Sequence, residues 1–262
     1  MKKLYQKDEI WFAVLWIVLY VVLFQNADNI SNSISKSISS LVSSVLTLIG
    51  ALAFPKLITA PVALILSAVL YGFIRKNGLT AYYGLCPFKG NRKAYLYFLP
   101  LVVLCSTNLW RGVTMNLTIA SSILHIISMC CVGFLEEVIF RGLLFEAMRK
   151  DNVKVAIIVS SVTFGIGHII NLINGSGAEL LPNLLQVVYA TAAGFMFVMM
   201  YYKSKSMIVC IVAHGVFNAL SVFANEANAT AEMRILTAIL LTVITGSYAL
   251  YLALSMKGKT ND

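Results

Sequence analysis

Charge is what this chain has least of. Only 12% of its 262 residues are charged, against 59% hydrophobic, and the mean hydropathy is +0.83. Soluble domains carry about a quarter charged residues, so a water-solvated globule is excluded. The five cysteines are an odd number with no Cys-x-x-Cys spacing, which excludes a disulfide framework or zinc knuckle and leaves buried packing thiols. There is no His-Glu-x-x-His helix and no Gly-x-Ser-x-Gly elbow, so the familiar zincin and serine-hydrolase signatures are absent. No small-x-small cleavage site follows the first apolar run, where the chain reads Gln25-Asn26-Ala27-Asp28-Asn29; that run is expected to be an uncleaved span. A net charge of +9 invites a nucleic-acid reading, but no basic, aromatic-interleaved surface is present.

What is present is a succession of apolar segments between short charged loops. The expected fold is all-α: one integral membrane domain over residues 1–262, with about eight transmembrane helices. The spans are Ile10–Phe24, Leu57–Ile74, Tyr95–Trp110, Leu117–Met148, Val155–Ile170, Leu181–Tyr202, Met207–Ala224 and Ile235–Met256. Asn26–Phe54 combines apolar residues at three- and four-residue steps with many serines, and is expected as a helix in the outer interface or against the bundle. Eight spans place fifteen Lys and Arg residues on one side and four on the other, namely Lys36, Lys56, Arg111 and Arg234, with Arg141 inside the membrane. That bias puts both termini in the cytoplasm. Taking residues 41–54 as a further span would reverse the bias.

The polar residues inside the apolar spans need a reason, because each ionisable group there costs about 2.5–3.5 kcal/mol on insertion scales. Gly133-Phe134-Leu135-Glu136-Glu137-Val138-Ile139-Phe140-Arg141-Gly142 holds three such groups in six residues. At about 1.5 Å of rise per residue, Glu136, His168 and Asn218 each lie roughly 20 Å from the cation-rich boundary, and His214 roughly 13 Å. Glu137 and Arg141 are spaced to pair along one face; His214 and Asn218 share a face, as do Phe164 and His168. The glycines of Phe164-Gly165-Ile166-Gly167-His168 allow a close approach. A carboxylate with an imidazole can activate water and return its proton to a leaving amine, and an imidazole with a carboxamide can stabilise an oxyanion. The cavity so built is expected to open towards the cytoplasm.

Glu136-Glu137-x-x-x-Arg141, Phe164-x-x-x-His168, and Ser206 followed eight residues later by His214-x-x-x-Asn218 resemble the motif series of the CAAX protease and bacteriocin-processing (CPBP, or Abi) intramembrane endopeptidases. The motif-bearing core is about residues 117–224. The resemblance implies a hydrolase acting on a membrane-associated peptide or protein. It implies Glu136 as water activator with His168, His214 and Asn218 as the oxyanion site, and Glu137, Arg141 and Phe164 in support. Many members carry a proline shortly before the second histidine, whereas Cys210-Ile211-Val212-Ala213-His214 has none.

Blander readings stand beside these. His125 lies eleven residues before Glu136, about 16 Å along the axis, and reads as a packing residue. Glu146 reads as a solvated helix end beside Arg149 and Lys150, and Phe195–Met200 as lipid-facing or core. Cys210 lies four residues before His214, which is compatible with a Cys-His pair. No cofactor is expected; zinc, if bound, would use Glu136, His168 and His214. A non-catalytic immunity or peptide-binding protein using the same cavity is the alternative function, and a proton-coupled transporter a third. The expected location is a multi-pass protein of a bacterial cell membrane, with the lipid bilayer and a peptide or protein substrate as partners and no nucleic acid.

Overall fold

The structure, a computed structural model, describes residues 1–42, 56–90, 96–172 and 179–257. Apart from one isolated bridge between Val113 and Ala224, the regular elements among them are helices. After a short leading helix come α1 (Glu9–Val42), α2 (Thr59–Lys76), α3 (Leu99–Ser106), α4 (Ile119–Glu136, continued without a break by Glu137–Phe145 and a last turn Glu146–Met148), α5 (Val153–Gly167), α6 (Leu180–Ser204), α7 (Ile208–Leu220) and α8 (Ala231–Lys257). These correspond to the eight expected apolar segments. Six are long and apolar enough to cross a bilayer, whereas Leu96–Leu109 and Ile208–Phe223 are shorter. Sixteen residues of α-helix rise about 24 Å, less than the roughly 30 Å hydrocarbon core.

The chain differs from expectation after Phe24. No proline or glycine interrupts Glu9–Val42, and α1 runs on through Asn26 instead of ending there. Its polar face is satisfied: Asp28 pairs with Lys56 and accepts from the Thr59 hydroxyl at 3.1 Å, and the Ser31 hydroxyl accepts from the Ile58 N–H at 2.8 Å. The expected interfacial helix is therefore, as far as Val42, an extension of α1; its remainder, 43–54, lies outside the described residues.

Small residues set the helix crossings, as they must where lipid tails compete equally well for apolar side chains. A Cβ on Gly133 of α4 would lie 2.6 Å from the Gly215 backbone nitrogen of α7. A Cβ on Gly165 of α5 would meet the Thr191 hydroxyl of α6 at 1.9 Å, and one on Gly194 would lie 3.0 Å from the Ser161 carbonyl. Of the two glycines expected to permit close approach, Gly165 does so and Gly167 faces open space. α6 packs along both α5 and α8, and α4 lies between α2 and α7.

The two ends of the bundle are distinct. Lys150 pairs with Glu9 at 2.6 Å, Lys203 hydrogen-bonds Ser255, and Tyr201 donates to Glu146 at 2.8 Å. The start of α1 and the last turns of α4, α6 and α8 thus share one end, which is the cation-rich one. At this end Ser206 donates to the Cys86 carbonyl and the Met207 N–H to the Gly84 carbonyl, both at 2.7 Å, seating the loop after α2 on the α6–α7 turn. At the opposite end Arg111 and Arg234 each contact Glu226 at 3.0 Å. Glu146 corrects the sequence reading: it is 3% exposed, held by Tyr201 and ion-paired with Arg149, because α6 covers the side of α4 that the sequence left open.

Candidate active site

α4 changes character at its carboxylates. Thr118 caps its start, its hydroxyl accepting from the Ser121 N–H, and the helix runs regularly to Glu136. Glu137–Phe145 is then a π-helical stretch, every residue of it buried. Widened turns of this kind are rare and concentrate at functional sites. Glu137 and Arg141 still meet across it, at 3.2 Å and with both side chains fully buried.

Direct contacts join the motifs. The Gly133–Gly215 crossing brings α7 against α4 and sets His214 between the two carboxylates. Its Nδ1 lies 2.8 Å from Glu137 Oε1 and its Nε2 lies 3.4 Å from Glu136 Oε2. The short Nδ1 contact fits a ring N–H donating to Glu137, which leaves Nε2 as the nitrogen facing Glu136. The two carboxylates differ in setting: Glu137 is sealed, whereas the Glu136 side chain keeps 13% exposure and accepts a 2.7 Å hydrogen bond from the Tyr20 hydroxyl of α1.

Aromatic rings enclose the charges. The Arg141 guanidinium lies over the Phe164 ring at 4.1 Å and near Phe197 at 5.5 Å, a cation–π arrangement suited to a head group removed from water. Among the described residues its nitrogens, and Glu137 Oε2, have no partner in hydrogen-bond geometry. The 3.2 Å Arg141–Glu137 approach is therefore an electrostatic contact more than a well-directed hydrogen bond. Phe164 also meets His168 and His214 edge-on, with centroids 5.0 and 5.7 Å away, and Phe197 stacks on His214 at 5.6 Å and 16°.

His168 stands at the end of α5, where its Nδ1 lies 3.0 Å from the Phe164 carbonyl oxygen. That contact requires Nδ1 to carry the proton, so in the neutral ring Nε2 is the free acceptor. Among the described residues no hydrogen bond or ion pair joins Glu136 to His168; Phe164 lies against both His168 and His214. His168, His214 and Asn218 wall a cavity of about 40 Å³, room for a water or two. This cavity shares Gln186, Tyr189 and Phe217 with a second one, of about 230 Å³, at the cation-poor end. Among the described residues, these two cavities therefore lead towards the cation-poor end, while Leu143, Leu144 and Phe145 are buried on the cation-rich side of the carboxylates. A larger apolar groove of about 940 Å³ runs between α5, α6 and α8, away from the carboxylates.

All seven site residues expected from the sequence fall in this one region. Glu136, Glu137, Arg141, Phe164 and His214 form the contact cluster, and His168 and Asn218 line the adjoining cavity. Tyr20, Phe197 and the Gly133–Gly215 contact escaped sequence reading, because a tyrosine, a phenylalanine or a glycine in an apolar span is unremarkable there. His125 lies 3.0 Å from the Ser221 hydroxyl, in keeping with a packing role. The Cys210 thiol faces the Phe197 carbonyl at 3.8 Å, while both His214 nitrogens face carboxylates, so no Cys-His pair forms. Among the described residues no three His, Cys, Asp or Glu side chains converge to hold a metal ion.

Comparison with known proteins reaches the same segment. Residues 118–220 match the profile of the family described as "Type II CAAX prenyl endopeptidase Rce1-like". A Bacillus subtilis (strain 168) protein, "Putative membrane peptidase YdiL", is 34% identical over 104 residues, which cover 39% of this chain and 37% of that protein. The chain thus matches well under half the length of this curated relative. The matched segment begins at the cap of α4 and ends with the last residue of α7, and so contains both carboxylates, Arg141, both cavity histidines and Asn218. Over residues 118–220, about two fifths of its length, this chain is similar to the Rce1-like type II CAAX prenyl endopeptidase (CPBP) family.

Proposed function

We propose that the chain is an intramembrane endopeptidase that hydrolyses a peptide bond of a membrane-associated peptide or protein with water activated by Glu136 and His168. The observation that carries this reading is the sharing of His214: it faces both carboxylates and also walls the water-sized cavity with His168 and Asn218. A partly exposed carboxylate steadied by Tyr20 suits a general base, and a sealed one paired with Arg141 suits a support. In the proposed reaction Glu136 takes a proton from water, whose oxygen attacks the carbonyl carbon. The Asn218 amide donates to the developing oxyanion. His214 can donate there from Nε2 when it carries both ring protons. As the C–N bond breaks, the proton held at Glu136 or at His168 Nε2 passes to the leaving amine. No step is routed through a metal.

The reading includes an eight-crossing topology with both termini cytoplasmic in a bacterial cell membrane. It is supported by the fifteen-to-four division of cations and by the shared end of α1, α4, α6 and α8. The decisive measurement is mass spectrometry of membrane-associated peptides from cells carrying wild-type, Glu136→Gln or His168→Ala protein. Each substitution is expected to lower processing by about 10²–10⁴-fold at unchanged protein level. Unaltered processing in both variants overturns the hydrolase reading in favour of a binding or immunity role. A chelator should leave the rate unchanged; complete loss reversed by zinc would overturn the metal-free mechanism.

A further inference from the structure

The second cavity has a wall chemistry that hydrolysis does not require. It lies at the cation-poor end, between the turn that ends α3 and the first turns of α6 and α8, and two arginines, Arg111 and Arg234, line it. Each contacts one oxygen of Glu226 at 3.0 Å, but Glu226 is not part of the wall and its side chain is 53% exposed. Two arginines and one glutamate leave a charge of +1, presented to the cavity by the guanidinium groups. A guanidinium offers five N–H donors, of which the contact to Glu226 and, for Arg234, an Nε donation to the Ala229 carbonyl at 3.0 Å occupy only part, and its planar fork matches a carboxylate.

Deeper in the same wall stands Asn183, 1% exposed. Its Nδ2 donates to the His168 carbonyl at 2.8 Å, which fixes the orientation of the amide. Its Oδ1 has no hydrogen-bond partner among the described residues, and leaving a buried acceptor unpaired is costly. The cavity thus combines an unmet acceptor beside the histidine-bearing segment with cationic donors farther out. Asn108 marks the interval: it donates to the Phe217 carbonyl at 2.6 Å, and Arg111 follows three residues later, about one helical turn away. A peptide offers the complementary groups, a backbone N–H and an acidic group.

We propose that this second cavity is a substrate subsite that takes a carboxylate of the peptide from the cation-poor end of the bundle. Asn183 Oδ1 accepts a backbone N–H, and Arg111 and Arg234 hold the carboxylate. The proposal rests on the endopeptidase reading and adds to it an anionic substrate class and a direction of approach. The carboxylate can come from a chain terminus or from an aspartate or glutamate side chain.

The test uses full-length Glu136→Gln protein in nanodiscs, where turnover does not interfere, and fluorescein-labelled apolar ten-residue peptides in three forms. One form ends in a free carboxylate, one in an amide, and one in an amide with a single internal glutamate. At least one acidic form is expected to bind about tenfold tighter than the neutral amide, and the form that does so names the source of the carboxylate. Arg111→Gln with Arg234→Gln should erase the preference, and the corresponding lysine pair should keep most of it. Glu226→Gln, which removes the counter-charge from both guanidinium groups, should tighten acidic binding, whereas a purely structural Glu226 would loosen it. Equal binding of all three peptides, or a preference that survives the double glutamine variant, overturns the subsite. Cleavage by wild-type protein is read separately: cleavage without acid preference removes the subsite and leaves the hydrolase, and arginine-dependent acid binding without cleavage does the reverse.

Discussion

Two arginine–glutamate systems stand at different depths of this bundle, and their contrast shows what burial does to one chemistry. Glu137–Arg141 has both side chains fully buried, enclosed by Phe164 and Phe197 and joined to His214. Arg111–Glu226–Arg234 sits at the cation-poor end, with its glutamate 53% exposed and its arginines 14% and 36% exposed. In the first, neither charge can find water if its partner is lost, so the pair is structural and permanent. In the second, water competes for every contact, so partners can be exchanged. The buried pair supports the proposed base, and the exposed set is free to meet a ligand.

The largest effect is expected where the buried pair is broken on one side only. Glu137→Gln leaves Arg141 without its counter-charge and should cost about 3–5 kcal/mol in a denaturation titration in mixed micelles. Adding Arg141→Met should recover more than half of that loss, since the penalty lies in the orphaned charge. If the single variant melts like wild type, the guanidinium is already solvated and the contrast fails. The helix crossing comes next. Gly133→Ala forces a methyl group against the Gly215 backbone and should cost about 1–3 kcal/mol while separating His214 from both glutamates. Activity should fall further than stability alone explains, which a comparison of turnover with the folded fraction would detect.

Tyr20→Phe removes one hydrogen bond to the Glu136 carboxylate, worth about 1.5–3 kcal/mol for a charged acceptor. It should lower turnover modestly with folding nearly intact; an effect as large as that of Glu136→Gln would promote Tyr20 to a central role. Smallest should be Glu226→Gln, within about 1 kcal/mol of wild type in stability, since exposed pairs contribute little. A loss there as large as in Glu137→Gln would erase the distinction between the two clusters.

Much of this was legible in the chain. Apolar run length and the cost of intramembrane charge are properties of local composition, so the eight helical segments and the candidacy of Glu136, Glu137, Arg141, His168, His214 and Asn218 could be read directly. Counting residues from the charged loops brought three of the four proposed catalytic groups to one depth, because helical rise is constant. His214, placed some 7 Å shallower by the same count, meets the glutamates anyway. Depth along an axis says nothing of the neighbouring helix's tilt and offset.

Tertiary structure decided the partnerships. Which carboxylate stays partly open depends on how α1 brings Tyr20 to Glu136 and how Phe164 and Phe197 close over Arg141, contacts separated by up to 116 residues in the chain. Glu146 looked solvated until α6 covered it, and among the described residues the water-sized cavity adjoins a larger one towards the cation-poor end. Sequence alone determined that this protein lies in a membrane with ionisable groups at its heart, since the expense of burying charge is written into each segment separately. Only the packing of α4 against α7, backbone to backbone at Gly133 and Gly215, decided which of those groups meet, since that depends on the rotation and crossing of whole helices.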